Sequence, residues 1–227
     1  MHLPFEHSLF SAIDFSTNRE AWVPVVMITV ILGVLWVIDS SGRNPFSAFP
    51  YPYETFVILI PTITLLIPTA AFLYATGGSF RSIRLSSHQL WSAALLGAIA
   101  VIVFLVPTIV LSNRFLLGLE KASPLFLFAF AYQAACEEIF FRGFLQTRLE
   151  KLFGSLNGLL GTAIIFNLYH VPEEVFVYRL SGGGLMANFS LMLPASMLLG
   201  YLALRSDSLL GSSMYHFVYN ISLLLTL

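Results

Sequence analysis

Seven apolar runs dominate the chain, near Trp22–Ile38, Thr55–Tyr74, Leu90–Leu111, Pro124–Phe153, Leu156–Val171, Leu185–Leu204 and Leu209–Leu225. Each approaches or exceeds the ~20 residues with which a helix crosses the hydrocarbon core of a bilayer. Lipid offers no partner to a bare backbone, so an open chain can cross only as a helix, whose N–H and C=O groups satisfy one another. The expected fold is therefore all-α: a polytopic transmembrane bundle of about seven crossings, forming a single membrane domain over residues 1–227. Composition agrees, since 10% of the residues are charged against roughly 25% in a soluble domain.

Several function classes drop out. The net charge is −1 and the eleven Lys and Arg residues are scattered, so no basic stripe exists to hold nucleic acid. The single cysteine, Cys136, has no Cys-x-x-Cys partner for redox or thiolate-metal chemistry. Residues 1–20 mix charged and apolar positions without the pattern of a cleavable signal peptide, so the first crossing is expected to act as its own insertion signal. Asp39 to Tyr53 and Gly77 to Ser87 read as loops. Pro61, Pro68, Pro107 and Pro194 fall inside apolar runs, where kinks are expected.

The fourth run is anomalous. It is about 30 residues long, more than a crossing requires, and its last third, from Gln146 to Lys151, is polar. Near its centre lie Glu137, Glu138 and Arg142, and each unpaired charge at mid-bilayer costs on the order of 2.5–3.5 kcal/mol. Glu138 and Arg142 are four apart on one helical face and can pair through two parallel hydrogen bonds. Glu137 points elsewhere and suits a general base or a water-holding carboxylate. An ion-pair cluster at a helix end accounts equally well for these three residues taken alone.

Two further runs add histidines. His170 ends the fifth in Phe166-Asn-Leu-Tyr-His, and His216 lies in the seventh with Asn220 one turn later. A lone histidine in an apolar helix is ordinarily a hydrogen-bonded core residue, but three helices carrying Glu, His and His-x-x-x-Asn form a pattern. Counting ~1.5 Å per residue from the turns at Gly154 and Arg205–Ser208 puts Glu137 about 24 Å deep, His170 about 21 Å, Asn220 about 18 Å and His216 about 12 Å. That spread is compatible with one layer of the bundle.

Glu137-Glu138-x-x-x-Arg142, then Phe166-x-x-x-His170, then His216-x-x-x-Asn220 resembles, in order and spacing, the CAAX-protease and bacteriocin-processing (CPBP, or Abi) family of intramembrane proteases. The resemblance covers Ala131 to Ile221, including the Gly200 to Leu209 lead-in. It makes residues 121–227 a catalytic core behind variable transmembrane helices in 1–120. It implies that helices 4, 5 and 7 supply the site: Glu137 activates water, His170 and His216 orient it, and His216 or Asn220 stabilises the oxyanion. Glu138, Arg142 and Phe166 support them. No cofactor is expected; a zinc ion, if present, would take Glu137, His170 and His216 as ligands.

The implied function is hydrolysis of a peptide bond in a membrane-anchored or lipidated protein or peptide. The alternative is a non-catalytic transporter or scaffold binding a proton or ligand at the same cluster. The chain is expected to be a multi-pass integral membrane protein with the lipid bilayer and its substrate as partners. Six Lys or Arg on the amino-terminal side (Arg19, Arg81, Arg84, Arg148, Lys151, Arg205) against four on the other (Arg43, Arg114, Lys121, Arg179) place the amino terminus in the cytoplasm. That orientation turns the catalytic layer outward and suits a myxosortase-like enzyme trimming the C-terminal anchors of exported proteins. Pro172 to Gly184 reads as a connection that the family resemblance does not assign.

Overall fold

Apolar runs that must satisfy their own backbone become helices, and the computed structural model contains seven of them among its described residues, which are 18–40, 58–85, 89–107, 110 and 123–226. They are α1 (Asn18–Ser40), α2 (Ile58–Thr76), α3 (Leu90–Leu105), α4 (Pro124–Phe153), α5 (Ser155–Pro172), α6 (Gly182–Ser206) and α7 (Leu210–Thr226). No strand occurs among the described residues. By length and hydropathy α1, α2, α4 and α6 can each cross a membrane, and α3 is a shorter apolar helix. The amino-terminal segment to residue 17, the loop beyond Ser40, the start of the second run at Thr55, Leu111, Arg43, Arg114 and Lys121 lie outside the described residues.

Local chemistry sets the helix ends. Ser123 caps α4 by accepting a hydrogen bond from the Phe126 amide at 3.1 Å, and Pro124 supplies the first-turn proline whose missing N–H costs nothing there. α2 stops at Gly77, in the left-handed region at φ 66°, and the Gly78 amide closes back on the Leu73 carbonyl at 2.8 Å. Several prolines coincide with π turns. Pro68 follows one at Thr62–Leu66 and Pro107 follows one at Val101–Leu105, each with the carbonyl four residues back inside the π turn. A proline removes a ladder donor and pushes away the carbonyl four residues back, and a π turn absorbs that by shifting the ladder one residue.

A further π turn, at Glu173–Val177, corrects the reading of 172 to 184 as a connection. The π turn carries α5 on to Val177 and α6 begins at Gly182, so only residues 178–181 link the two helices.

The chain gathers into two compact units, each discontinuous in sequence. One takes α1, the part of α4 from Phe144 onward, α5, and α6 as far as Gly200. Here α4 turns sharply into α5 at Gly154, and the two pack as an antiparallel pair with α1 against both. Gly158 lets the backbones meet, since a Cβ there would lie 2.5 Å from the Glu150 amide nitrogen. The polar end of α4 is buried: Gln146 donates to Glu150 at 2.7 Å and to the Gly200 carbonyl at 3.1 Å, and the Arg148 guanidinium lies 4.6 Å from the centre of the Phe144 ring.

The other unit takes α2, the 3₁₀ turn Phe80–Ile83, α3, α4 up to Gly143, the end of α6 and α7. α7 packs against both α3 and α4. It approaches α3 at two glycines: a Cβ on Gly97 would sit 2.7 Å from the Gly211 carbonyl oxygen, and one on Gly211 would strike the Ala93 carbonyl. Small residues at such crossings let membrane helices gain dispersion contact where no hydrophobic drive separates helix from lipid. Gly97→Val is therefore expected to force the helices apart at a cost of about 1–3 kcal/mol. A thermal midpoint in detergent equal to that of the unaltered protein would contradict this close packing.

Candidate active site

The site assembles around two consecutive glutamates at the end of the α-helical part of α4. Glu137 and Glu138 are fully buried, and immediately after them the helix widens into a π segment, Ile139–Leu145. π segments concentrate at functional sites because they re-aim side chains without ending a helix. Phe140 and Phe141, the next residues but one, pack edge to face with centroids 5.1 Å apart, both inaccessible to solvent.

Each glutamate has its own partners. Glu138 Oε1 accepts from Arg142 Nη1 at 2.9 Å and from His216 Nδ1 at 2.9 Å. The sequence reading of two parallel bonds between Glu138 and Arg142 is thus corrected: one carboxylate oxygen serves both donors, and Oε2 takes no bond from the guanidinium. The reason is α7, which brings the imidazole against the same oxygen and turns the carboxylate away from fork-to-fork pairing.

Glu137 Oε1 accepts from Gln133 Nε2 at 2.8 Å, one helical turn earlier. Its other oxygen, Oε2, has no hydrogen-bond partner among the described residues and stands 3.5 Å from His216 Nε2. The imidazole therefore lies between the two carboxylates. Nδ1 pairs with Glu138 and Nε2 faces Glu137. Gln133 escaped the sequence reading, although its i, i+4 spacing to Glu137 was visible; amides are common enough in helices that spacing alone does not single one out.

The depth estimate overstated the separation of these helices. It put Glu137 about 24 Å and His216 about 12 Å from their turns, yet their side chains meet at 3.5 Å. The turn before α7 stands level with Arg142: Arg84 Nη1 donates to the Arg142 carbonyl at 3.1 Å, while Arg84 Nε lies 3.7 Å from Asp207 Oδ1.

Asn220 lies one turn beyond His216 on α7, half-buried, and its side chain makes no hydrogen bond among the described residues. His170 belongs to the other unit, where it occupies the last turn of α5. Phe166 is buried one turn before it and meets the imidazole edge to face, centroids 4.9 Å apart, with Tyr169 similarly placed at 5.2 Å. These rings restrict how the His170 side chain can turn. The structure thus brings Glu137, Glu138, Arg142 and His216 together in one unit, and places Phe166 with His170 in the other.

The arrangement offers a carboxylate oxygen and an imidazole nitrogen facing each other inside an apolar surround. Two such acceptors hold a proton or a polarised water between them, and a low local dielectric strengthens either interaction. Among the described residues no group of three or more His, Cys, Asp or Glu side chains is arranged to hold a metal ion.

No curated protein and no solved structure matches the chain at a significant level. Residues 120–222 match the family described as type II CAAX prenyl endopeptidase Rce1-like, and that stretch contains all three motifs. Its members are integral membrane proteases, in keeping with helices here that are long and apolar enough to cross a bilayer. Residues 120–222 thus form an Rce1-like domain, of the type II CAAX prenyl endopeptidase kind.

Proposed function

We propose that the protein hydrolyses a peptide bond of a lipidated or membrane-anchored polypeptide with a water molecule activated by Glu137. The observation that carries this reading is the facing of Glu137 Oε2 and His216 Nε2 at 3.5 Å, each held from behind, by Gln133 and by Glu138. A water placed there donates one O–H to each acceptor and directs its lone pair outward. As its oxygen attacks the carbonyl carbon, the proton passes to Glu137 Oε2 and the carbonyl oxygen takes up negative charge. Asn220, a neutral donor one turn from His216, serves that oxyanion. The proton then moves to the departing nitrogen, the C–N bond breaks, and a carboxyl and an amine are released.

In this mechanism no metal takes part. Zinc-dependent hydrolysis is the competing chemistry, and the two differ in their response to chelation. A fluorophore–quencher peptide ending in an S-farnesylated CAAX sequence is the first substrate to try, with products identified by mass spectrometry. Cleavage is expected to persist in a strong chelator and to fall ~10²–10⁴-fold in His216→Ala, the range for loss of a group that handles the proton. Activity lost to chelator and restored by zinc would overturn the metal-free mechanism. An intact His216→Ala enzyme would overturn the role of the imidazole.

A further inference from the structure

Arg84 lies 58 residues before Arg142 in sequence, in the short link between α2 and α3, yet its guanidinium is buried. Its backbone is left-handed at φ 58°, a conformation that a non-glycine residue adopts at a cost and keeps only when its surroundings demand it. Asp207, its ion-pair partner, is left-handed too, at φ 48°, in the turn leading to α7. Each directly follows a helical segment, where a left-handed residue is a common stop, so what asks for a reason is that the two meet in an ion pair.

Tracing the contacts supplies one. Arg84 Nη1 bonds the Arg142 carbonyl, inside the π segment. The Arg142 side chain bonds Glu138 Oε1, and the same oxygen takes His216 Nδ1. From His216 the α7 backbone returns to Asp207, and Asp207 Oδ1 faces Arg84 Nε. The circuit is closed. Gly143 tightens it, because a Cβ there would lie 2.6 Å from the Ile83 carbonyl and 3.2 Å from a Leu209 methyl, so the 3₁₀ turn, the π segment and the start of α7 are wedged together.

From this geometry we infer that Arg84 and Asp207 are positioning residues, a bracket that sets the register of α7 against α4 and thereby places His216 between the two glutamates. A helix sliding by even one residue moves its side chains by ~1.5 Å and rotates them by about 100°, enough to break both imidazole contacts. Arg84 suits the task because one planar fork reaches a carbonyl and a carboxylate at once, which the single point of a lysine cannot do. The inference rests on the proposed catalytic role of His216 for its consequence, though not for its geometry.

Two readouts separate those claims. In protein labelled with ¹⁵N-histidine and held in nanodiscs, the hydrogen-bonded Nδ1 proton of His216 is assigned by its disappearance in His216→Gln. That resonance is expected to shift or vanish in Arg84→Met and Asp207→Leu, with Arg84→Lys and Asp207→Asn intermediate, in samples whose helix content and elution profile are unchanged. Cleavage of the S-farnesylated peptide is expected to drop at least tenfold in kcat with KM within about twofold. An unmoved His216 resonance in a folded Arg84→Met protein overturns the bracket. Should Arg84→Met misfold, Asp207→Asn, at a half-buried side chain, decides the matter by the same resonance. A displaced resonance with full activity leaves the bracket standing and refutes the role of His216 in catalysis instead.

Discussion

Arg142→Met is expected to destabilise the protein by about 3–5 kcal/mol, the cost of leaving one member of a buried ion pair behind. Arg142 and Glu138 are fully buried and joined at 2.9 Å. Methionine fills much of the volume but leaves the Glu138 carboxylate with the imidazole as its one charged or ionisable neighbour on that oxygen. The double variant Arg142→Met with Glu138→Gln removes the orphan charge and is expected to recover part of the loss. Thermal or denaturant midpoints in nanodiscs measure both. Arg142→Met within about 0.5 kcal/mol of the unaltered protein, the range of ordinary surface substitutions, would mean that the pair contributes nothing to holding α4 and α7 in place.

Glu137→Gln is expected to do the reverse: little change in stability and near-complete loss of cleavage. The amide is isosteric, and its oxygen can still accept from Gln133 as Glu137 Oε1 does at 2.8 Å. What disappears is the capacity to take a proton from water, which general-base catalysis makes worth roughly 10²–10⁴ in rate. The loss should appear in kcat with KM little changed, since a group acting only in the transition state leaves ground-state binding alone. Comparable losses in kcat from Gln133→Met would mean that holding the carboxylate matters as much as the carboxylate itself.

Much of the architecture was readable because the bilayer constrains it so tightly. A run such as Gly182–Ser206 has one way to satisfy its backbone in lipid, so its helix could be placed within a few residues, and the 30-residue α4 stood out by length alone. The i, i+4 pairing of Glu138 with Arg142 was visible for the same reason. The π turns were not, since a proline such as Pro107 can be met by a kink or by a π turn, and its local sequence does not choose between them. Nor was the sharing of Glu138 Oε1, which α7 decides from 78 residues away. Arg84 was countable in the sequence only as a loop charge. Its burial against the Arg142 carbonyl is a tertiary fact that no local pattern carries. The roles proposed for Glu137, His170, His216 and Asn220 rest on the family resemblance that the three motifs carry together, not on any one motif.

Cleavage of the S-farnesylated peptide in ¹⁸O-labelled water, followed by mass spectrometry of the released fragments, tests the proposal that a buried glutamate activates water for peptide hydrolysis. The unaltered protein should release a fragment bearing one solvent oxygen on its new carboxyl group, and Glu137→Gln, folded and at equal concentration, should release none above background. Release of the same labelled fragment by Glu137→Gln at the unaltered rate would contradict it.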